Sequence, residues 1–173
     1  MPLLRDLNEL HPVVLPRARL WLAACAVRGL PLLVIETRRT MAVARAYWVT
    51  GRMPLKDALV YYAAAGLRPI KDEDNKIITK AKPGQSWHQY GCALDFAPLV
   101  NGQIDWVYDP EFPADHWDEI ADEAKKVGFK WGGDWRTFKD RPHVEYHSGW
   151  EHPDEAATWV AEHADDWRIP LTG

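Results

Sequence analysis

Apolar residues in the first part of the chain recur at helical spacing, broken by proline and glycine. Leu3, Leu4, Leu7 and Leu10 share one face ahead of Pro12, which predicts a short N-terminal helix over 3–10. Arg17 to Arg28 continues as a second helix, closed by Gly29, with Cys25 as core filler. Leu30 to Ile35 is short, apolar and rich in branched residues, so it reads as a buried strand leading to Arg39 at its edge. Thr40 offers an N-cap for a helix through about Thr50, with Gly51 as the C-terminal signal. Between Pro54 and Ala65 the residues Leu55, Ala58, Leu59 and Tyr62 fall on one helical face before Gly66, and the charged run Lys71 to Lys76 reads as a loop.

Beyond this point the period shortens. Ile77 to Thr79 predicts a brief strand, and the turn at Pro83-Gly84 delivers the chain to Ser86 and His88. From Ala93 to Ala97 the alternation has a period of two, so Asp95 shares a face with small Ala93 and Ala97 while Leu94 and Phe96 face the other way. Asn101-Gly102 is a hairpin signal, with a return strand through Ile104, Trp106 and Tyr108. Trp117, Ile120, Ala121, Ala124 and Val127 form the apolar stripe of a helix from about Ala114 to Val127. Phe129 to Trp131 and Pro142 to Tyr146 read as strands around a Gly-Gly loop, Glu155 to Ala164 as a last helix, and Ile169 to Gly173 as a tail. The pattern predicts an α+β fold, a small and mainly antiparallel sheet flanked by helices.

Composition bounds this picture. With 173 residues, 47% of them hydrophobic and 12% aromatic, the chain supports one real core, so a single domain over 1–173 is expected. A net charge of -4 without a long Lys/Arg run argues against nucleic acid as a partner. No stretch reaches the roughly 18 apolar residues of a membrane span, so no membrane insertion is expected. Arg5, Asp6 and Glu9 interrupt the leucines of the start, unlike a secretory leader, which predicts synthesis in the cytoplasm without a signal peptide. Cys25 and Cys92 are then expected to be free thiols, and two cysteines cannot build a structural zinc site of the cysteine type.

The chemistry concentrates in two segments. Ser86 to Asp95, read with Asp140-Arg141-Pro142-His143, supplies two histidines and a carboxylate as metal ligands plus a spare acid. Catalytic zinc takes three such ligands and keeps its fourth position for water. His88 and Asp95 are seven apart, a spacing that also fits one face of a helix, but Gly91 and the alternation after it favour a loop running into a strand. A carboxylate inside an apolar strand is costly unless it is paired or binds a metal. On its own strand His143 shares a face with Glu145 and His147, so His147 is an alternative ligand and Glu145 an alternative base to Asp140. Arg39 could offer positive charge to a tetrahedral oxyanion, with Arg38 as its rival. Trp87, Trp131 and Trp135 adjoin the motifs and could wall a groove for a glycopeptide, whereas His116, His152 and His163 read as solvated. Ser86 is not a nucleophile, since no Gly-x-Ser-x-Gly elbow surrounds it.

The pattern Ser-x-His-x-x-Gly-x-Ala-x-Asp, followed by an acid-x-x-His, resembles the zinc D,D- and L,D-peptidases of bacterial cell walls, which include D-Ala-D-Ala carboxypeptidases and dipeptidases and phage L-alanyl-D-glutamate endopeptidases. The Asp-x-Pro-His form, with Trp131-Gly132-Gly133-Asp134-Trp135 before it, is similar to the endolysin branch. The resemblance implies one Zn2+ per chain on His88, Asp95 and His143, Asp140 as catalytic base, and Ser86 as a substrate contact. It leaves Glu145 to orient an imidazole and His147 to face solvent. Arg39-Thr40 and Gly51-Arg52 match further landmarks, although Ala44 stands where the family often has Gln. The match spans most of 10–147, with 53–76 as added material. The implied function is hydrolysis of the L-alanyl-D-glutamate bond of peptidoglycan stems by a phage or prophage endolysin, acting as a monomer after the membrane is permeabilised. Alternatives are a D-Ala-D-Ala carboxypeptidase or dipeptidase, and a non-catalytic wall-binding module of the same fold.

Overall fold

The computed structural model describes residues 4–107 and 116–163. Leu3, Tyr108, Ala114, Ala164 and the tail over 169–173 lie outside the described residues. The fold is α+β. Five helices, α1 (Leu15–Val27), α2 (Met41–Val49), α3 (Leu55–Ala64), α4 (Trp117–Lys126) and α5 (Pro153–Glu162), accompany strands β1 (Leu32–Glu36), β2 (Ala93–Val100), β3 (Gln103–Ile104), β4 (Lys130–Trp131) and β5 (His143–Glu145). The sheet runs β1-β2-β5-β4 with β3 paired to the far end of β2, and every pairing is antiparallel.

The alternation in β2 decides which face becomes the core. Leu94 and Phe96 are fully buried against Trp21 of α1 and Trp117 and Ile120 of α4. The Trp21 ring meets Phe96 edge-on at 5.3 Å, and its indole N–H donates to the Ile120 carbonyl at 2.9 Å, so this buried polar atom is satisfied. The opposite face of β2 is left to Asp95. A smaller cluster of Val43, Ala46, Tyr62 and Ala65 joins α2 to α3. Cys25 and Cys92 are both free, as expected, and Cys92 is buried along with Cys25. Among the described residues no helix is long and apolar enough to cross a membrane.

Three expected elements are shorter or absent. The N-terminal helix is only a 3-10 turn over Leu7–Glu9, because the surrounding backbone is engaged elsewhere. The Leu4 carbonyl accepts from Thr37 N–H at 2.7 Å and the His11 N–H donates to the Gly91 carbonyl at 3.0 Å. Ile77 to Thr79 forms no strand and pairs with none of the described strands. It is braced by Arg52, whose guanidinium donates to the Thr79 carbonyl at 2.9 Å, and by Gly51, where a Cβ would strike the backbone of Lys76 and Ile77. The return strand of the hairpin stops at Ile104, leaving Trp106 exposed. The Asn101-Gly102 turn itself is present, with φ of 52° and 76° at its two residues.

Candidate active site

Strand register builds the site. Across the sheet Glu36 lies opposite Asp95, and Asp95 opposite His143. Directly paired residues carry their Cβ atoms about 4.5–5.5 Å apart, so the three side chains form one row on the face away from the core. Two pairs along, and so on the same face, Glu145 lies opposite Ala93, whose small side chain leaves room for a carboxylate. His88 enters from a 3-10 turn over Trp87–Tyr90 that ends at Gly91 with φ of 71°. The turn is tied to the sheet, since the His88 carbonyl accepts from Arg39 N–H at 2.9 Å.

His88 Nε2 lies 3.0 Å from Asp95 Oδ1 and 3.1 Å from His143 Nδ1, and the last two atoms are 3.3 Å apart. Their tautomers follow from their outer partners. A carbonyl can only accept, so His88 Nδ1 donates to Thr37 O at 2.9 Å and leaves Nε2 as a lone pair. His143 Nε2 donates to Glu145 Oε2 at 3.0 Å, leaving Nδ1 as a lone pair. With both rings neutral, two imidazole lone pairs and a carboxylate oxygen converge on one point, a donor set that a metal cation, or a second proton on His143 in its place, satisfies. These residues fit a metal ion by donor type and by proximity, with ligand atoms all within 4.8 Å of one another.

Charge at the site follows the same contacts. Burial pushes the Asp95 carboxyl up, but His88 and His143 outweigh it and hold it well below the usual range. Burial lowers His143, yet Asp95 and Glu145 raise it to about 9. For Glu145, burial is overcome by the hydrogen bond from His143 and the close contact of His147, which hold it at about 2. Asp140 is raised, first by burial and then by the Asp95 charge. Arg39 is gripped by Glu36, approaches Asp95 Oδ2 at 3.6 Å, and faces the Tyr47 ring at 5.0 Å. Burial, followed by the Glu36 charge, keeps Tyr47 protonated by pushing it up to about 12.

These groups open into a cleft of about 460 Å³ lined by Arg39, Tyr47, Trp87, Trp135, Asp140 and His143, among others. Ser86 also lines it, its backbone N–H donating to the Gln89 side chain at 3.0 Å. Lys80 and Phe138 face each other on the rim, with the ammonium 4.8 Å from the ring centre. Arg38 points away and pairs with Glu9 at 2.9 Å, which removes it as the rival of Arg39. Trp131 serves packing, its indole donating to the Arg141 carbonyl at 2.7 Å. His116 is bonded to Glu119, and His163 stacks on Trp159.

His147 does not face solvent as expected. It lies flat on Trp87 at 4.0 Å, with about a fifth of its side chain exposed, because Glu145 and Lys130 hold its two nitrogens. Glu36, Thr37 and Tyr47 were missed as site residues. An acid closing an apolar strand was the available signal for Glu36, whereas Thr37 acts through a carbonyl that any residue carries.

The loop before Asp140 is set by a close approach. At Gly132 a Cβ would strike the Asp140 carbonyl, which accepts from His143 N–H at 3.2 Å, while Asp140 N–H donates to Gly132 O at 3.0 Å. Gly132→Ala should therefore displace Asp140, costing about 1–3 kcal/mol as overpacking does. Thermal melts and any hydrolytic turnover should both fall, with the His88, Asp95 and His143 donor atoms left in place. Unchanged turnover would show that the Asp140 position does not depend on this contact.

The peptidase M15 family model described as D-alanyl-D-alanine carboxypeptidase matches residues 79–146, which contain both motifs. The peptidoglycan L-alanyl-D-glutamate endopeptidase CwlK of Bacillus subtilis (strain 168) is 33% identical over 144 residues, covering 80% of this chain and 74% of that protein. This chain belongs to the M15 peptidase family. Within the family, the L-alanyl-D-glutamate peptidase of Listeria phage A118 is 37% identical over 62 residues, 36% of this chain and 21% of that protein. The crystal structure of the Serratia marcescens L-Ala D-Glu endopeptidase ChiX superposes with a TM-score of 0.50 at 22% identity, covering 82% of this chain and 83% of that one, and so shares the fold. The family resemblance read from the two motifs is borne out.

Proposed function

We propose that this chain is a zinc-dependent peptidoglycan peptidase that hydrolyses the L-alanyl-D-glutamate bond of wall stem peptides. The observation that carries the reading is the convergence of His88 Nε2, His143 Nδ1 and Asp95 Oδ1, the two imidazoles turned inward by their outer hydrogen bonds and the carboxylate placed by strand register. The endopeptidase relatives supply the bond. His88, Asp95 and His143 would hold one zinc ion per chain. When bound, zinc would supply a water of pKa about 7 and polarisation of a scissile carbonyl.

The chain's own groups do the rest. Asp140 takes a proton from the attacking water and returns it to the leaving amine, a task suited to a carboxyl raised by burial. Arg39, fixed by Glu36, directs its charge at the tetrahedral oxyanion. Ser86, Trp87 and Trp135 contact the stem peptide along the cleft. Glu145 keeps the His143 ring aimed through its other nitrogen. The whole acts as a single catalytic domain with 53–76 as an insertion, working as a monomer. It is a phage or prophage lysin that reaches the wall through a separate membrane lesion.

A D-Ala-D-Ala carboxypeptidase is the second reading, favoured by the description of the matching family model. Products separate the two. Digested sacculi should show new D-Glu amino termini with L-Ala left on muramic acid. Release of free D-Ala without new D-Glu termini would transfer the chain to the second reading, and no clearing of a wall zymogram would leave a binding module.

A further inference from the structure

We infer that His147 is a positioning residue for both candidate ligand histidines, clamping the turn that carries His88 to the strand that carries His143. The inference rests on the zinc reading above. Glu145 has two oxygens and uses both: Oε2 accepts from His143 Nε2 at 3.0 Å, and Oε1 lies 2.9 Å from His147 Nε2. The carboxylate therefore aims the His143 ring only as well as it is itself held.

His147 is held on three sides by different elements. Its Nδ1 is 2.9 Å from Lys130 Nζ on β4, and Lys130 stands opposite Glu145 in the sheet. An ammonium has donors only, so His147 Nδ1 accepts, and in the neutral ring the single proton sits on Nε2. That buried Nε2 has no fully aligned hydrogen-bond partner among the described residues, and its close contact is Glu145 Oε1. The proton lies beside the carboxylate as an electrostatic contact rather than along a hydrogen bond. On its face the ring stacks on Trp87 at 4.0 Å and 18°, and Trp87 immediately precedes His88. One side chain thus joins the backbone turn behind His88 to the carboxylate behind His143. Partners behind metal-bound histidines fix ring orientation, and their loss typically weakens metal binding about 10–100-fold.

The test compares His147→Ala, His147→Gln and Lys130→Met by zinc competition against a chromogenic chelator, alongside the melting of zinc-free protein. His147→Ala should weaken zinc by about 10–100-fold. Glutamine retains an amide N–H for Glu145 and a carbonyl for Lys130, so it should recover most of that loss. Lys130→Met should fall between wild type and alanine, because the tautomer is no longer enforced. At saturating zinc, His147→Ala should lower kcat with little change in KM. Alanine binding zinc within about twofold of wild type, or glutamine as weak as alanine with both variants folded, overturns the inference while leaving the zinc reading intact. Absence of zinc uptake by the wild-type protein overturns both.

Discussion

Asparagine in place of Asp140 is expected to lower hydrolysis of purified sacculi by about 10²–10⁴-fold, the usual worth of a positioned acid or base. The substitution keeps size and hydrogen-bonding capacity and removes only the proton-accepting charge. Zinc content should stay at the wild-type level, because Asp140 is not among the convergent donor atoms. The fold should also persist, since Asp140 is tied to Gly132 and His143 by backbone rather than side-chain bonds. Metal analysis, melting and product release on the same preparations check all three statements. Glu145→Gln should be milder, because Glu145 is committed to His143 and His147 and has no free oxygen for a water proton. If Glu145→Gln abolishes turnover with zinc retained while Asp140→Asn does not, the two roles must be exchanged.

The site was more legible in the chain than the fold around it. Asp95 stood out because an acid in an alternating apolar strand demands a partner, and the same alternation placed Leu94 and Phe96 in the core. Glycine and threonine signals gave the bounds of α2 and α3 to within a residue or two, since capping is a local property. Pairing is not local. The leucines over 3–10 have helical spacing, yet the Leu4 carbonyl is used by Thr37 and the His11 N–H just beyond them by Gly91, residues that only the folded chain brings near. Ile77 to Thr79 has strand composition but pairs with none of the described strands. His147 was misplaced for the same reason: its partners Trp87, Lys130 and Glu145 lie on separate elements, and no spacing rule connects them.

Loss of an imidazole from the convergent set should have the largest effect of all. His143→Ala removes one candidate ligand and at once takes a partner from two carboxylates, leaving Asp95 to His88 and Arg39 and Glu145 to His147. Breaking a buried ion pair by removing one partner costs about 3–5 kcal/mol, a large part of the stability of a domain this size. The variant should therefore melt well below the wild type even before metal is considered. Metal then widens the gap, because an ion held about a thousand-fold above its dissociation constant adds about 4 kcal/mol to the native state alone. Wild-type protein should gain thermal stability with zinc, lose both that gain and its wall hydrolysis to a chelator, and recover both on re-addition, with about one zinc per chain. His143→Ala should show no zinc-dependent gain. His147→Ala must retain a measurable one, since it removes an aiming contact rather than a donor atom. Equal zinc affinity in the two variants would mean that the choice of His143 over His147 as ligand is unsupported, and chelator-insensitive hydrolysis by the wild type would sink the metal reading altogether.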